Sequence, residues 1–253
     1  MKLLLTNDDG VNSEGIQKLA ALLRSSGKYK VSIIAPEFNR SGVSQAITIF
    51  NSQVKLVKIN EDTWSCSGTP ADCVIAAIRG RFCEKPDLIL SGINQGANLG
   101  TDLIFSGTAA GARQASLYDI PGIALSLAGR RSFYWDMAVS WIGEHLEELL
   151  SYWRKNTFVN VNIPNREEGP LGIIPAWPGL KHYKDSLLEE QTEGGALICT
   201  LKGEGESVIL EAGSDSDVVS RDYVSVSTLN NLPVVVREIC PRAPDYAAVA
   251  ARI

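Results

Sequence analysis

Apolar and polar positions alternate in blocks along the first two thirds of the chain. The run Leu3–Leu5, closed by Thr6, is short and apolar, and it reads as a strand buried on both faces. From Ser13 the period changes. Ile16, Leu19, Ala20 and Leu23 recur at helical spacing, and Gly27 supplies a stop signal. "YKVSIIAP" is a second apolar run, closed by Pro36. This β-α-β unit at the start of the chain predicts a parallel sheet.

The alternation continues. "ITIF" and "VKLVKI" predict short strands. "SGTPADCVIAAIRG" predicts a helix with Thr69 as N-cap, Pro70 at its first position, Asp72 in its first turn and Gly80 as stop. "DLILSG" predicts a strand, "SGTAAGARQASLYD" a helix and "PGIALSL" a strand. Trp135, Ala138, Val139, Ile142, Leu146, Leu149, Leu150 and Trp153 mark one face of a helix, and "TFVNVNIP" predicts the next strand. After Pro164, prolines and glycines break the pattern. Two alternating stretches there, "ALICTLKG" and "ESVILEAG", flank "GEG" and predict a β-hairpin. The expected organisation is one α/β domain over residues 1–253. Its main body covers about 1–164, and a strand-rich extension with hairpin and tail covers about 165–253.

Composition narrows the class. The 253 residues are 45% apolar and 21% charged, as in an ordinary globular protein. A net charge of -5, with no basic stripe, predicts neither nucleic-acid nor acidic-membrane binding. Leu3–Leu5 is too short for a signal-peptide core and no run reaches membrane-span length, so a cytoplasmic location without membrane association is expected. Cys66, Cys73, Cys83, Cys199 and Cys240 are odd in number and lack metal-finger spacing. They are expected to be buried free thiols.

Ligands of open parallel sheets bind beyond the carboxyl ends of the strands. Three such ends carry "NDDG", "PEFNRSG" and "SGINQGANLGTDLIFSGT". Glycine-rich loops entering helices favour anions, yet Asp8 and Asp9 would repel a phosphate. A divalent cation reconciles the two, since it binds carboxylates and bridges to an anion. Asp8 and Asp9 would face opposite ways along a strand, but a turn at Gly10 brings both towards one ion. Asn and Ser oxygens complete a shell suited to Mg²⁺, Mn²⁺ or Ca²⁺. The chain has no GxGxxG, P-loop or GxSxG motif. His145 falls within a predicted amphipathic helix and reads as structural; His182 has no assigned role.

"LLLTNDDG", "APEFNRSG", "GTPADCV" and "SGINQGANLGTDLIFSGT", in this order and spacing, resemble the SurE (survival protein E) nucleotidase family. The likeness is strong to about Leu127. It persists in "VNVNIP" and "SDSDVVSRDYVSVSTL". It implies a Rossmann-like α/β fold, a mostly parallel sheet with helices on both faces, and a C-terminal β-hairpin that exchanges between subunits of a homodimer or homotetramer. It also implies a divalent-metal-dependent phosphomonoesterase acting on nucleoside 5′- and 3′-monophosphates, with short polyphosphate a substrate of some members. By position, the metal ligands would be Asp8, Asp9, Ser41 and Asn94, with Asp8 and Asp9 catalytic. Asn39, Asn98, Ser106, Gly107 and Thr108 would line the phosphate pocket. The chain departs from the family pattern at Gln114-Ala115, Ser214-Asp215 and Asp222-Tyr223. Two other readings stay open: a haloacid-dehalogenase-type phosphatase, which needs spaced rather than adjacent aspartates, and a non-catalytic nucleotide-binding or assembly protein.

Overall fold

The computed structural model describes residues 1–50, 52–192, 194–208 and 210–233. Its main sheet opens with β1 (Lys2–Thr6), α1 (Glu14–Ser25) and β2 (Lys30–Pro36). The edge hairpin β3 (Leu56–Asn60) and β4 (Thr63–Cys66) follows, then α2 (Pro70–Arg79), β5 (Leu88–Gln95), α3 (Gly107–Ser116) and β6 (Gly122–Ala128). The remainder is α4 (Trp135–Ser151), β7 (Thr157–Pro164), β8 (Ile173–Pro175), β9 (Lys181–Gln191), β10 (Leu197–Val208), α5 (Asp215–Ser220) and β11 (Val224–Asn230). The sheet order is β3-β4-β2-β1-β5-β6-β7-β11-β8, while β9 and β10 form a separate two-stranded sheet.

The six strands from β4 to β7 in this order run parallel. Alternation along β1 distributes its side chains between two cores. Leu3 and Leu5 join Ile16, Leu19, Ile142 and Leu146 under α1 and α4. Leu4 joins Cys73, Val74 and Ala115 under α2 and α3. The chain leaves β1 for β2 on one side and later returns to β5 on the other, so the strand order reverses between β1 and β5. Such a reversal opens a crevice at the carboxyl ends.

Three expectations are corrected. "ITIF" is not a strand, because the backbone N–H groups of Thr48 and Ile49 donate to the buried Asp72 carboxylate at 3.0 and 3.1 Å. Those donors are then not free for a ladder. The hairpin exists, but its turn lies at Thr192–Ala196, where the Thr192 N–H donates to the Ala196 carbonyl. "GEG" lies inside β10, where the register with β9 shifts between Gly203 and Glu206, so these glycines serve an irregularity rather than a turn. The partner strand Lys181–Gln191 escaped notice because adjacent Leu187 and Leu188 break the period of two. Cys66 and Cys73 are buried free thiols and Cys83 is partly so, but Cys199 on β10 is exposed. Cys240 lies outside the described residues.

Asp72 does more than open α2. Besides Thr48 and Ile49 it accepts the Thr69 N–H and hydroxyl, while Thr69 caps the helix in return. One carboxylate thus pins the whole 46–49 loop. Asp72→Ala would leave the buried Thr69 N–H and the part-buried Thr48 and Ile49 N–H groups without their partner and is expected to cost about 2 kcal/mol. Urea unfolding would read this as a lower midpoint, and an unchanged midpoint would contradict the assignment.

Candidate active site

Asn7 is fully buried and builds the first loop. Its amide donates to the Gly10 carbonyl at 2.9 Å and to Ser13 Oγ at 2.6 Å, and its Oδ1 accepts the Gly10 N–H at 3.2 Å. Gly10 has φ +104°, which a side chain would resist. The Ser13 hydroxyl therefore holds the Asn7 turn rather than capping α1. This turn places Asp8 and Asp9 at the crevice between β1 and β5.

Asp8 is 3% exposed. Its carboxylate accepts the Thr108 N–H at 3.1 Å and the Thr108 hydroxyl. Asp9 accepts the Gln95 N–H at 3.0 Å and the Asn39 amide at 3.4 Å. The 39–41 turn is tied down in turn, with the Arg40 N–H on the Asp8 carbonyl and the Ser41 N–H on Asn39 Oδ1. Three loops thereby meet through the two aspartates.

The N-terminus of α3 completes the site. Gly107 is obligatory, because a Cβ there would stand 2.8 Å from Asp8 Cβ. Ser106 caps the helix by accepting the Ala109 N–H, and its carbonyl accepts that of Ala110. Thr108 is committed to Asp8. Among the described residues, Gly107 contributes the one N–H of this first turn with no hydrogen bond, the kind of orphan donor that suits an anion. Asn98 is fixed from behind, its carbonyl accepting the amides of Asn160 and Asn162 at 3.0 and 3.1 Å. The Asn98 amide donates to Ser126 Oγ.

Asp8, Ser41, Asn94, Asn98 and Ser106 face one cavity of about 300 Å³. Gly107 and Thr108 abut it through Asp8, and Asn39 reaches it through Asp9 and Ser41. All nine residues singled out in the sequence thus gather at one place. Sequence reasoning missed Asn7, Asn160 and Asn162. Asn160 and Asn162 sit two apart on a strand otherwise rich in apolar residues, which was the available signal. Trp177 and Tyr183 are half-exposed and do not face this cavity, and His182 is exposed on β9. His145 stacks on Trp141 within α4, as a structural residue does.

Burial pushes the Asp8 carboxyl up to about 6, against the pull of Thr108 and with a push from Asp9. Burial raises Asp9 as well, opposed by Gln95. Among the described residues no Lys, Arg or His lines the cavity. Among the described residues no cluster of three His, Cys, Asp or Glu side chains forms. The donor set is the Asp8 and Asp9 carboxylates with neutral oxygens from Ser41 and Asn94, and Asp102 adds a third carboxylate to the cavity, paired with the Lys181 ammonium at 2.7 Å. Such an all-oxygen set, short of positive charge, fits a hard divalent cation.

A parallel sheet with carboxylates and an anion-binding helix start at its switch point defines a class. It is an α/β protein whose switch point sets carboxylates beside a helix start. The family described as survival protein SurE matches residues 3–184. The 5′-nucleotidase SurE of Thermoanaerobacter sp. is 36% identical over 91% of this chain and 92% of its own. That of Vibrio cholerae is 38% identical over 90% and 91%. The crystal structure of the SurE protein from Aquifex aeolicus superposes with a TM-score of 0.81 at 34% identity, covering 98% of this chain and 100% of that one. The chain belongs to the SurE family.

The raised Asp8 pKa sets a sign for stability. In the metal-free protein the folded state holds a proton on Asp8 between about pH 6 and the ordinary carboxylate value, where the unfolded chain does not. Asp8 therefore adds stability as pH falls through 6. Urea midpoints measured in chelator should rise over this range more in the wild type than in Asp8→Asn. Equal slopes would contradict the burial-driven shift.

Proposed function

We propose that this protein is a divalent-cation-dependent phosphomonoesterase that hydrolyses nucleoside 5′- and 3′-monophosphates, with short polyphosphate as a further substrate. The observation that carries the reading is the meeting of the buried Asp8 carboxylate and its half-buried neighbour Asp9 with the start of α3, beside a cavity that no Lys, Arg or His lines among the described residues. The relatives' name, 5′-nucleotidase SurE, supports the substrate class.

In this reading Asp8, Asp9, Ser41 and Asn94 hold one Mg²⁺ or Mn²⁺. The chemistry supplied by a cation there is neutralisation of phosphoryl charge and acidification of water. Thr108 fixes the Asp8 carboxylate and Gln95 fixes that of Asp9, so the pair is oriented before substrate arrives. The Gly107 N–H, the Ser106 hydroxyl, Asn98 and Asn39 hold the phosphate oxygens. Water then bonds to phosphorus as the bond to the nucleoside oxygen breaks, and the nucleoside leaves as the alcohol after gaining a proton. Asp8 and Asp9 are the catalytic residues.

Chelator-stripped protein should release no phosphate from AMP or its 3′-isomer and should recover with Mg²⁺ or Mn²⁺. Asp9→Asn is expected to lower kcat/KM on the order of 100-fold, about 2.7 kcal/mol of barrier. Affinity for the cation should rise with pH through about 6, because Asp8 must lose its proton to bind it. Full turnover in chelator would sink the reading.

The exposed side chains of the β9–β10 hairpin support subunit exchange. Leu187, Leu188, Leu197, Ile198 and Leu201 are all exposed on a two-stranded sheet that no third strand joins among the described residues. A lone hairpin is marginal in water, and its apolar surface calls for a partner. A second copy of the chain, in a dimer or tetramer, fills that role. Replacing Leu188 and Leu201 by Asp is expected to give a smaller species in sedimentation, and unchanged mass would argue against the hairpin as interface.

A further inference from the structure

A second cavity, of about 620 Å³, adjoins the carboxylate cavity. The two share Ala97 and Asp102 as walls. Beyond them the lining is mixed. Leu99, Val219 and Leu210 offer apolar surface, Ser216 and Ser220 of α5 offer hydroxyls, and Arg130 and Lys181 bring positive charge. Asp102 stands at the junction. Its carboxylate accepts a hydrogen bond from the Lys181 ammonium at 2.7 Å and is partly exposed, at 22% for the side chain. That pairing lessens the repulsion Asp102 would exert on a neighbouring phosphate.

The backbone makes this junction firm. The Asp102 carbonyl accepts the N–H groups of Phe105 and Ser106, which fixes the approach to α3. Thr101 exchanges hydrogen bonds with the backbone of Lys181. Asp215, fully buried, accepts the N–H groups of Gly100 and Gly179 and so ties the start of α5 to the same turn. The walls of the second cavity are therefore held by the elements that hold the first.

We infer that this second cavity seats the nucleoside moiety of the substrate. The inference rests on the phosphomonoesterase reading above. A phosphate held at Ser106 and Gly107 must point its ester group out of the small polar cavity, and the adjoining cavity shares a wall with it. The order of surfaces follows that of a nucleotide. The polar cavity takes the phosphate. A carboxylate at the junction accepts hydrogen bonds from sugar hydroxyls, as acidic residues do in dinucleotide sites. The Leu99, Leu210 and Val219 surface then meets the flat, weakly polar base. Specificity for nucleotides over small phosphate esters lies in this second cavity.

The test fills the cavity without touching the polar one. Val219→Trp projects an indole from α5, and Ser220→Trp does so from the next position if the first variant does not fold, as judged by circular dichroism. The KM for AMP and the inhibition constant of inorganic phosphate are measured side by side. The inference expects KM for AMP to rise at least tenfold while the phosphate constant stays within twofold. An unmoved KM, or a parallel rise in both constants, would overturn it while leaving the nucleotidase reading intact. A wild type that releases no phosphate from AMP under any divalent cation would overturn both.

Discussion

Asp8 and Asp9 sit side by side just beyond the end of β1, the first buried and the second half-buried, and no basic side chain among the described residues lines the adjoining cavity. Much of the surrounding architecture makes this arrangement tolerable. Two neighbouring carboxylates in a poorly solvated place raise one another's pKa and destabilise the ionised fold. The compensation comes from dipoles: the Thr108 N–H and hydroxyl on Asp8, and the Gln95 N–H on Asp9. The first requires α3 to approach β1 so closely that position 107 has no room for a side chain. In the proposed reading, a divalent cation would complete what the dipoles begin.

Loops that carry ligands must be held still, and here buried polar side chains do that work. Asp72 fixes the 46–49 loop, Asn160 and Asn162 fix Asn98, and Asp215 fixes the turn at Gly100. Each satisfies backbone groups that would otherwise be orphaned away from water. This gives a physical role to "GTPADC", "VNVNIP" and "SDSD", none of which supplies a direct ligand in the proposed site. The departure at Gln114 is accommodated in the same way: its side-chain carbonyl accepts the Gln45 amide at 2.9 Å, which links α3 to the loop that carries Ser41.

The parallel body was legible because its strands are buried apolar runs and its helices carry clear periods and caps, as at Thr69 and Gly80. The site was legible because its residues cluster at strand ends in glycine-rich words. What escaped depends on contacts across the fold. The capture of Thr48 and Ile49 by Asp72 turns a strand-like word into a loop, and nothing local announces it. The hairpin turn was misplaced because Gly203 suits a turn and a bulge equally, and only pairing with β9 decides between them. Strand β11 rejoins the main sheet only after the hairpin excursion and takes the three-residue β8 as its outer neighbour, which a residue-by-residue pattern does not show.

The central claim is that the two carboxylates form one cation site, and metal binding tests it without reference to turnover. Chelator-stripped protein would be titrated with Mn²⁺ and free ion followed by electron paramagnetic resonance, alongside Asp9→Asn. The account predicts one tight site per chain in the wild type and its loss in the variant, with both proteins folded. Equal binding in the two, or no specific binding in the wild type, would contradict it.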